Sequence, residues 1–356
     1  KKIKKEADKR DPSYRPGQYN SISSAESRLL AAKTRRCILP LRSKGCSWAF
    51  EKKGTCTICG IRGDNLWDRQ ITNENIMEQF KKDFEKIDFK THSILAVYCN
   101  GSFLDDKEVN SMAKNEILKI VSKEKGVKRV DFETRPEFVT DSRIKRMKKL
   151  LGRKILEISM GFDEVDEDVR NLIVNKGMKR EELEKAIKIL IKNHVDTLVY
   201  VGVKPPFLTE KEAIQEAIDT IEYLFRIGVE QISLEPITVQ DYTLTKYLYD
   251  KGLYRPPWLW SIIEILRAAH SKINAPMIGP ERIGGFVFFP LPKVVAHNCP
   301  KCDKKVVKAI KKFESIQDIR VFDKLSCSCK RQWEREIERV EPPLYERIVK
   351  TLQKAE

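Results

Sequence analysis

The sequence lacks any run of about eighteen uncharged apolar residues, so it offers no membrane-spanning helix. Its opening residues, Lys1-Lys2-Ile3-Lys4-Lys5, lead into no apolar segment, which argues against a secretory signal. The G-x-G-x-x-G phosphate turn is missing, which argues against a dinucleotide fold. Histidine is scarce, with four in 356 residues and none before His92. Acid is in short supply too: 52 Asp and Glu face 68 Lys and Arg, a formal charge of +16. The expectation is a soluble, cytoplasmic protein with no membrane partner.

What is present is a chain of 356 residues, 41% apolar and 34% charged. That length accommodates one barrel-type domain plus a small module, and the apolar runs are too regular for disorder. The basic excess sits at the two ends. Residues 1–45 hold 13 bases and 4 acids, and residues 299–356 hold 15 and 10. Terminal basic regions around a near-neutral centre suit a phosphate-backbone footprint. A solvated Lys/Glu surface of a heat-adapted protein is the plainer alternative.

Residues 1–35 read as a basic arm with a short helix near 24–33, interrupted earlier by Pro12, Pro16 and Gly17. From there β-branched runs alternate with helical patterns, the signature of a parallel sheet with helical crossovers. Strands are expected at 36–41, 94–100, 127–134, 154–159, 197–203 and 231–234. Helices are expected at 73–84, 109–122, 141–150, 180–192, 209–226 and 258–270. In the 180–192 segment Leu183, Ala186, Ile187, Leu190 and Ile191 form one apolar face. Periodicity alone does not separate an open sheet from a barrel. Polar residues recur past several strand ends, at Asn100 to Ser102, Glu133 to Arg135, Ser159, Lys204 and Glu235, which is the barrel habit. The expected architecture is α/β, a partial (β/α)6 TIM-type barrel over 36–275. A turn-rich stretch with a strand at 286–289 then opens a metal-binding module over 276–356. That module carries helices near 304–313 and 330–340 and a last one past Pro343.

Nine cysteines in such a chain point to ligation rather than disulfides. Cys37 and Cys99 lie in apolar runs and read as small buried hydrophobes. Cys46, Cys56 and Cys59 share one loop directly after a strand. Three thiolates are one short of a closed site, which suits a 4Fe-4S cluster with one open iron, with zinc as the rival. Cys299-x-x-Cys302 and Cys327-x-Cys329 are two close pairs, a closed tetrathiolate set for one structural zinc or a second cluster. Around them Lys301, Lys304, Lys305, Lys308, Lys311, Lys312, Lys330 and Arg331 suggest an RNA platform, or a merely solvated face. His297 is superfluous as a ligand, and Trp258 and Trp260 read as core or interface packing.

The Cys46–Cys59 loop resembles that of radical S-adenosylmethionine (radical SAM) enzymes, with the long first gap of the elongator-catalytic-subunit-like branch. Gly45-Cys46-x-Trp48 followed by Gly54-x-Cys56-x-x-Cys59-Gly60 is similar to the archaeosine-biosynthesis radical SAM family called RaSEA. The segments 100–105, 133–137, 157–162, 201–206, 254–261, 297–302 and 327–329 extend the resemblance across roughly residues 36 to 335.

The resemblance implies that Cys46, Cys56 and Cys59 each ligate one iron of a 4Fe-4S cluster, whose fourth iron chelates S-adenosyl-L-methionine. It puts Gly101, Ser102 and Asp105 at the methionyl amino group, where Gly-Ser-Phe-Leu-Asp replaces the commoner Gly-Gly-Glu. Glu133 and Arg135 fall to the ribose hydroxyls and the carboxylate, or to an ion pair closing the barrel. Glu157 and Ser159 line the pocket, and Gly202, Lys204 and Glu235 are weaker candidates for adenine or substrate. Ile58 covers cluster and adenine, and Trp48 shields the cluster or packs the core. An external electron donor would drive reductive cleavage to methionine and a 5′-deoxyadenosyl radical. The implied substrate is a tRNA whose 7-cyano-7-deazaguanine at position fifteen already carries lysine. C–N cleavage would then leave archaeosine, in partnership with the lysine-transferring archaeosine synthase subunit. The chain lacks the acetyltransferase domain of the elongator subunit and the extra cysteine triad of a methylthiotransferase.

Overall fold

The computed structural model describes residues 23–29, 32–51, 54–60, 71–273, 282–284 and 294–355. The strand expected at 286–289 and most of the N-terminal arm lie outside these. Eight strands form one sheet in sequential order: β1 Ser23–Leu29, β2 Ala32–Pro40, β3 His92–Tyr98, β4 Arg129–Glu133, β5 Ile155–Asp163, β6 Asp196–Val203, β7 Gln231–Pro236 and β8 Arg282–Gly284. β1 runs antiparallel to β2, whereas β2 to β5 pair in parallel, as do β7 and β8. All six expected strands are present. Sequential strand order with helical crossovers is the topology of a partial (β/α) barrel, here with a C-terminal cysteine cluster.

The helices are α1 Ser47–Glu51, α2 Asn73–Phe84, α3 Ser111–Lys123, α4 Asp141–Leu151, α5 Arg180–Lys192, α6 Glu210–Arg226, α7 Leu244–Asp250, α8 Leu259–Ile273, α9 Asp303–Ile316, α10 Lys330–Glu338 and α11 Leu344–Ala355. Side-chain caps set several starts. Thr72 and Asn75 close a capping box before α2, and Thr209 with Glu212 does so before α6, each satisfying two otherwise orphaned amides. In α5, Leu183, Ala186, Ile187 and Leu190 are buried as expected. Ile191 is 51% exposed, because the eighth position has drifted off the packed stripe.

One expectation is corrected at the start of the chain. Residues expected as a short helix near 24–33 form β1 and the beginning of β2, with Ser23 opposite Ile38 and Leu29 opposite Ala32. The helix-favouring residues of Ser23–Leu29 are overridden by the free ladder edge of β2, which a neighbouring strand satisfies. A π-helical turn at Asp168–Ile173 was also not foreseen.

By contacts the chain divides into two compact units. The first holds residues 1–55, 61–161 and 179–198, and the second holds 56–60, 162–178 and 199–356. In the first unit the registers align Ile94, Arg129 and Ile155, then Ala96, Asp131 and Glu157. Strand alternation therefore puts Arg129, Asp131, Glu133, Glu157 and Ser159 on one face. The opposite face carries Leu95, Val97, Val130, Phe132, Leu156 and Ile158, all buried. Phe132 stacks on Phe103 at 4.2 Å there. The sheet thus devotes one face to a helix-packed core and the other to charge.

Candidate functional site

In the first unit, Cys46 is half-buried and directly precedes α1. Its loop is fixed by hydrogen bonds between Leu41 N and Tyr98 O at 2.6 Å, Ser43 Oγ and Cys99 O at 3.1 Å, and Gly45 N and Ser43 Oγ at 3.0 Å. The strongest anchor is Glu108, 2% exposed, whose carboxyl accepts from Ser47 N at 2.7 Å and Ser102 N at 2.5 Å. Gly101 makes this possible. A Cβ there would sit 2.0 Å from Glu108 Oε2 and 3.0 Å from Cys46 N. Burial pushes the Glu108 carboxyl up to about 8, against the pull of the two amides.

Glu133 is also drawn inward. It accepts from Cys99 N at 2.7 Å, and burial raises its carboxyl to about 7 despite the amides of Cys99, Asn100 and Gly101. Ser102 is fully buried, its Oγ accepting from Arg135 N at 3.1 Å. Asp105 is 4% exposed. Its Oδ1 accepts from Lys107 N at 2.9 Å, while its Oδ2 has no hydrogen-bond partner among the described residues. Arg135 pairs with Glu137 at 2.5 Å and lies over the Trp48 ring at 5.2 Å.

Deeper on the charged face, Glu157 pairs with Arg129 at 2.9 Å, which also reaches Asp196 at 2.6 Å. Ser159 Oγ donates to Asp131 Oδ1 at 2.7 Å, and Asp131 also takes Tyr98 OH and Arg36. The charges are paired here, as buried charges must be, with Arg129 Nε left without a hydrogen-bond partner among the described residues. Cys37 and Cys99 are 1% and 0% exposed, the small buried hydrophobes expected.

In the second unit, Cys56 to Gly60 forms a turn closed by Cys59 N and Cys56 O at 3.1 Å. Thr57 ties it to the end of the π-helical turn, N to Val174 O at 2.8 Å and Oγ1 to Ile173 O at 2.7 Å. Thr57 O accepts from Leu244 N at 2.8 Å, and Gly60 N donates to Gln240 Oε1 at 2.9 Å. A Cβ on Gly60 would lie 2.8 Å from Asp241 O. Cys56, Ile58 and Cys59 are left half-buried.

Gly202 leaves room for Glu164, whose Oε1 would be 2.8 Å from a Cβ there and has no partner among the described residues. Burial first, then Glu216, Asp163 and Asp166, raise the Glu164 carboxyl well above its ordinary range. Glu235 accepts from Ser233 Oγ at 2.7 Å. Lys204, in a left-handed conformation at φ 63°, pairs with buried Glu210 at 2.6 Å. Glu210 also accepts from Ser261 Oγ at 2.5 Å and Trp258 N at 3.3 Å. Glu108, Glu164 and Glu210 were not singled out from sequence. Each is one carboxylate among many, and only nonlocal packing distinguishes it.

The second cysteine set converges fully. Sγ atoms of Cys299 and Cys302, Cys299 and Cys327, and Cys302 and Cys329 are each 3.6 Å apart, and all four lie within 4.8 Å of one another. An ion at about 2.3 Å from four thiolates sets sulfur–sulfur edges of roughly 3.8 Å, so these four can hold one metal. Trp260 Nε1 donates to Cys329 Sγ at 3.4 Å, and Trp333 Nε1 donates to Ser261 Oγ at 2.8 Å. Trp258 and Trp260 are 3% and 4% exposed, the packing role expected of them. His297 Nδ1 turns to Val295 O at 2.8 Å and stands outside the ligand set. No described helix is long and apolar enough to cross a membrane.

The Radical SAM superfamily profile matches residues 42–217. Archaeosine synthase subunit beta of Methanosarcina acetivorans is 32% identical over 309 residues, covering 86% of each chain. The protein of the same name in Thermococcus kodakarensis is 30% identical over 270 residues, 75% of this chain and 81% of the other. An uncharacterised protein of Methanocaldococcus jannaschii is 34% identical over 303 residues, 84% of this chain and 80% of the other.

Proposed function

The chain belongs to the radical SAM superfamily and is related in sequence to archaeosine synthase subunit beta, and from that premise we propose a lyase-type tRNA-modifying enzyme. The observation that carries this reading is the relationship to a named archaeosine synthase subunit over 86% of both chains. The substrate is the lysine adduct of 7-cyano-7-deazaguanine in tRNA, and cleavage of its C–N bond forms archaeosine. The partner is the subunit that attaches lysine, and an external donor supplies electrons.

Cys46, Cys56 and Cys59 are the ligands for a 4Fe-4S cluster. The donor chemistry fits: three half-buried thiols on irregular backbone, in loops fixed by the bonds of Ser47 N to Glu108 and Thr57 N to Val174 O. When bound there, the cluster supplies the electron for reductive cleavage of S-adenosyl-L-methionine. Asp105 is the acid assigned to the methionyl amino group, since its buried Oδ2 keeps an open acceptor. Glu133 and Glu108 hold the loop that presents it. Ile58 lies between two ligands and covers them with an apolar surface. Cys299, Cys302, Cys327 and Cys329 hold one zinc, because edges of 3.6 Å suit a single ion. A four-iron cluster takes one thiolate per iron and holds its sulfurs farther apart.

Anaerobic purification tests the reading. Brown protein with about four irons and one zinc, which cleaves S-adenosyl-L-methionine when given reductant and tRNA, is the expected result. Colourless protein with zinc alone and no cleavage would replace the enzyme by a zinc-stabilised RNA-binding module.

A further inference from the structure

A groove of about 1200 Å³ runs through the second unit, between the Lys204–Glu210 segment and the helices α10 and α11. Its lining carries Lys204, Arg255, Arg335, Arg339, Arg347, Lys350 and Lys354 against Glu210, Glu336 and Glu341. Two of the three acids are closely paired with cations, Glu210 with Lys204 at 2.6 Å and Glu341 with Arg339 at 2.7 Å, while Glu336 accepts from neutral Trp258 Nε1 at 2.8 Å and lies 4.0 Å from Lys204.

Some of the cations are committed as well. Arg255 lies 3.8 Å over the Trp258 ring and donates to His297 O at 2.8 Å. Arg347 binds Glu212 and the carbonyl oxygens of Phe207 and Pro342. What remains is a surplus on the rim. Arg335 donates to the Arg331 carbonyl at 3.2 Å and meets no acid among the described residues, nor does Lys354. Lys350 has only a 3.5 Å pair with Glu346, both more than half exposed, which is worth little in water.

We propose that this groove is a docking site for an RNA phosphodiester strand, with Arg335, Lys350 and Lys354 as its phosphate contacts. The inference rests on the tRNA reading above, and it places docking on α10 and α11 rather than on the lysines of α9. Lys350 and Lys354 are four residues apart on α11, Arg335 lies in the last turn of α10, and Arg339 follows that helix in an extended conformation. Four residues rise about 6 Å along a helix, comparable to the step between phosphates on a strand. The volume exceeds the roughly 300–1,000 Å³ of a drug-sized pocket, which favours an extended ligand.

Hydrogen bonds seat the two helices of the groove on the rest of the unit. Trp333 bolts α10 to Ser261, Tyr247 OH holds Ala355 O at 2.5 Å, and Tyr345 OH holds Asp168 at 2.9 Å. Helices already held in place leave only their side chains to be ordered when phosphates arrive.

The test uses the full chain and a tRNA transcript, with binding followed by fluorescence anisotropy from 50 to 200 mM salt. The variant Arg335→Glu/Lys350→Glu/Lys354→Glu should bind at least tenfold more weakly. Its plot of log affinity against log salt should be shallower by roughly 2–3, since each lost phosphate contact removes about 0.7–0.9 from the slope. The Gln triple variant should fall in between, and zinc content and helical circular dichroism should match wild type in both. Unchanged affinity and slope in both variants, with wild type binding tRNA, would overturn the groove and leave the RNA reading standing. Wild type that fails to bind tRNA at any salt would overturn that reading instead. Displacement of tRNA by poly-glutamate at equal charge would overturn the proposal in favour of an acidic protein face.

Discussion

Removing the Glu210 carboxylate should be among the most damaging single changes in the second unit. Glu210 has 0% and Lys204 8% of its side chain exposed, and their 2.6 Å pair is completed by Ser261 Oγ and Trp258 N. Glu210→Ala leaves buried Lys204 with only the more distant Glu336, 4.0 Å away, and breaking such a buried pair costs about 3–5 kcal/mol. Glu210→Gln keeps shape and two acceptor contacts but loses the charge, and should fall below that. Replacing both partners, as Lys204→Met with Glu210→Leu, removes the charge and its desolvation together, so most of the loss should return. Trp258 and Trp333 adjoin the network, so tryptophan fluorescence in urea reports its unfolding directly. With a slope of about 2–3 kcal/mol per molar urea, the Ala variant should shift the midpoint by roughly 1–2 M. A loss under about 1 kcal/mol, or a double variant no better than the single, would refute the reasoning. A double variant that regains stability yet no longer binds S-adenosyl-L-methionine would assign Lys204 to the cofactor instead.

Other outcomes follow from the same geometry. Cys302→Ser should reduce zinc to well below one per chain and loosen the C-terminal module, while iron measured in the same sample stays near wild type. Gly101→Ala must displace Glu108 from two backbone amides, costing about 1–3 kcal/mol. Its thermal midpoint should drop and its iron occupancy fall, and an unchanged iron content would deny Glu108 its role in holding the Cys46 loop. Burial raises Glu216 to about 7, helped by the Asp166 charge and opposed by the Asp166 and Val165 amides. Its folded value lies above its unfolded one, so the folded protein holds the extra proton between about pH 4.5 and 7 and stability falls as pH rises through that window. Denaturation of Glu216→Gln at pH 5 and pH 7.5 should show a smaller drop than wild type, and an equal drop would remove Glu216 as a source.

Legibility tracked how local each cause was. β2 to β7 announced themselves through β-branched runs, and α5 through a 3.6-residue apolar repeat. The pairs around Cys299 and Cys327 carried their chemistry in spacing alone. β1 stayed hidden because its strand state comes from the edge of β2, not from Ser23–Leu29 itself. Candidate roles for Glu133, Glu157 and Lys204 came from the family resemblance. Their partners, Cys99 N, Arg129 and Glu210, appear only once the chain is folded. Glu108 escaped notice for the same reason, since seven residues and a missing Cβ at Gly101 separate it from the motif it holds together.

The most direct measurement is nucleoside analysis of a tRNA carrying the lysine adduct at position fifteen, after anaerobic incubation with the reconstituted protein, reductant and S-adenosyl-L-methionine. The account predicts archaeosine in place of the adduct, with 5′-deoxyadenosine and methionine formed alongside, and neither in the Cys56→Ala variant. Intact adduct in the presence of a full complement of iron and continuing S-adenosyl-L-methionine cleavage would contradict it, and would assign the radical chemistry to another RNA.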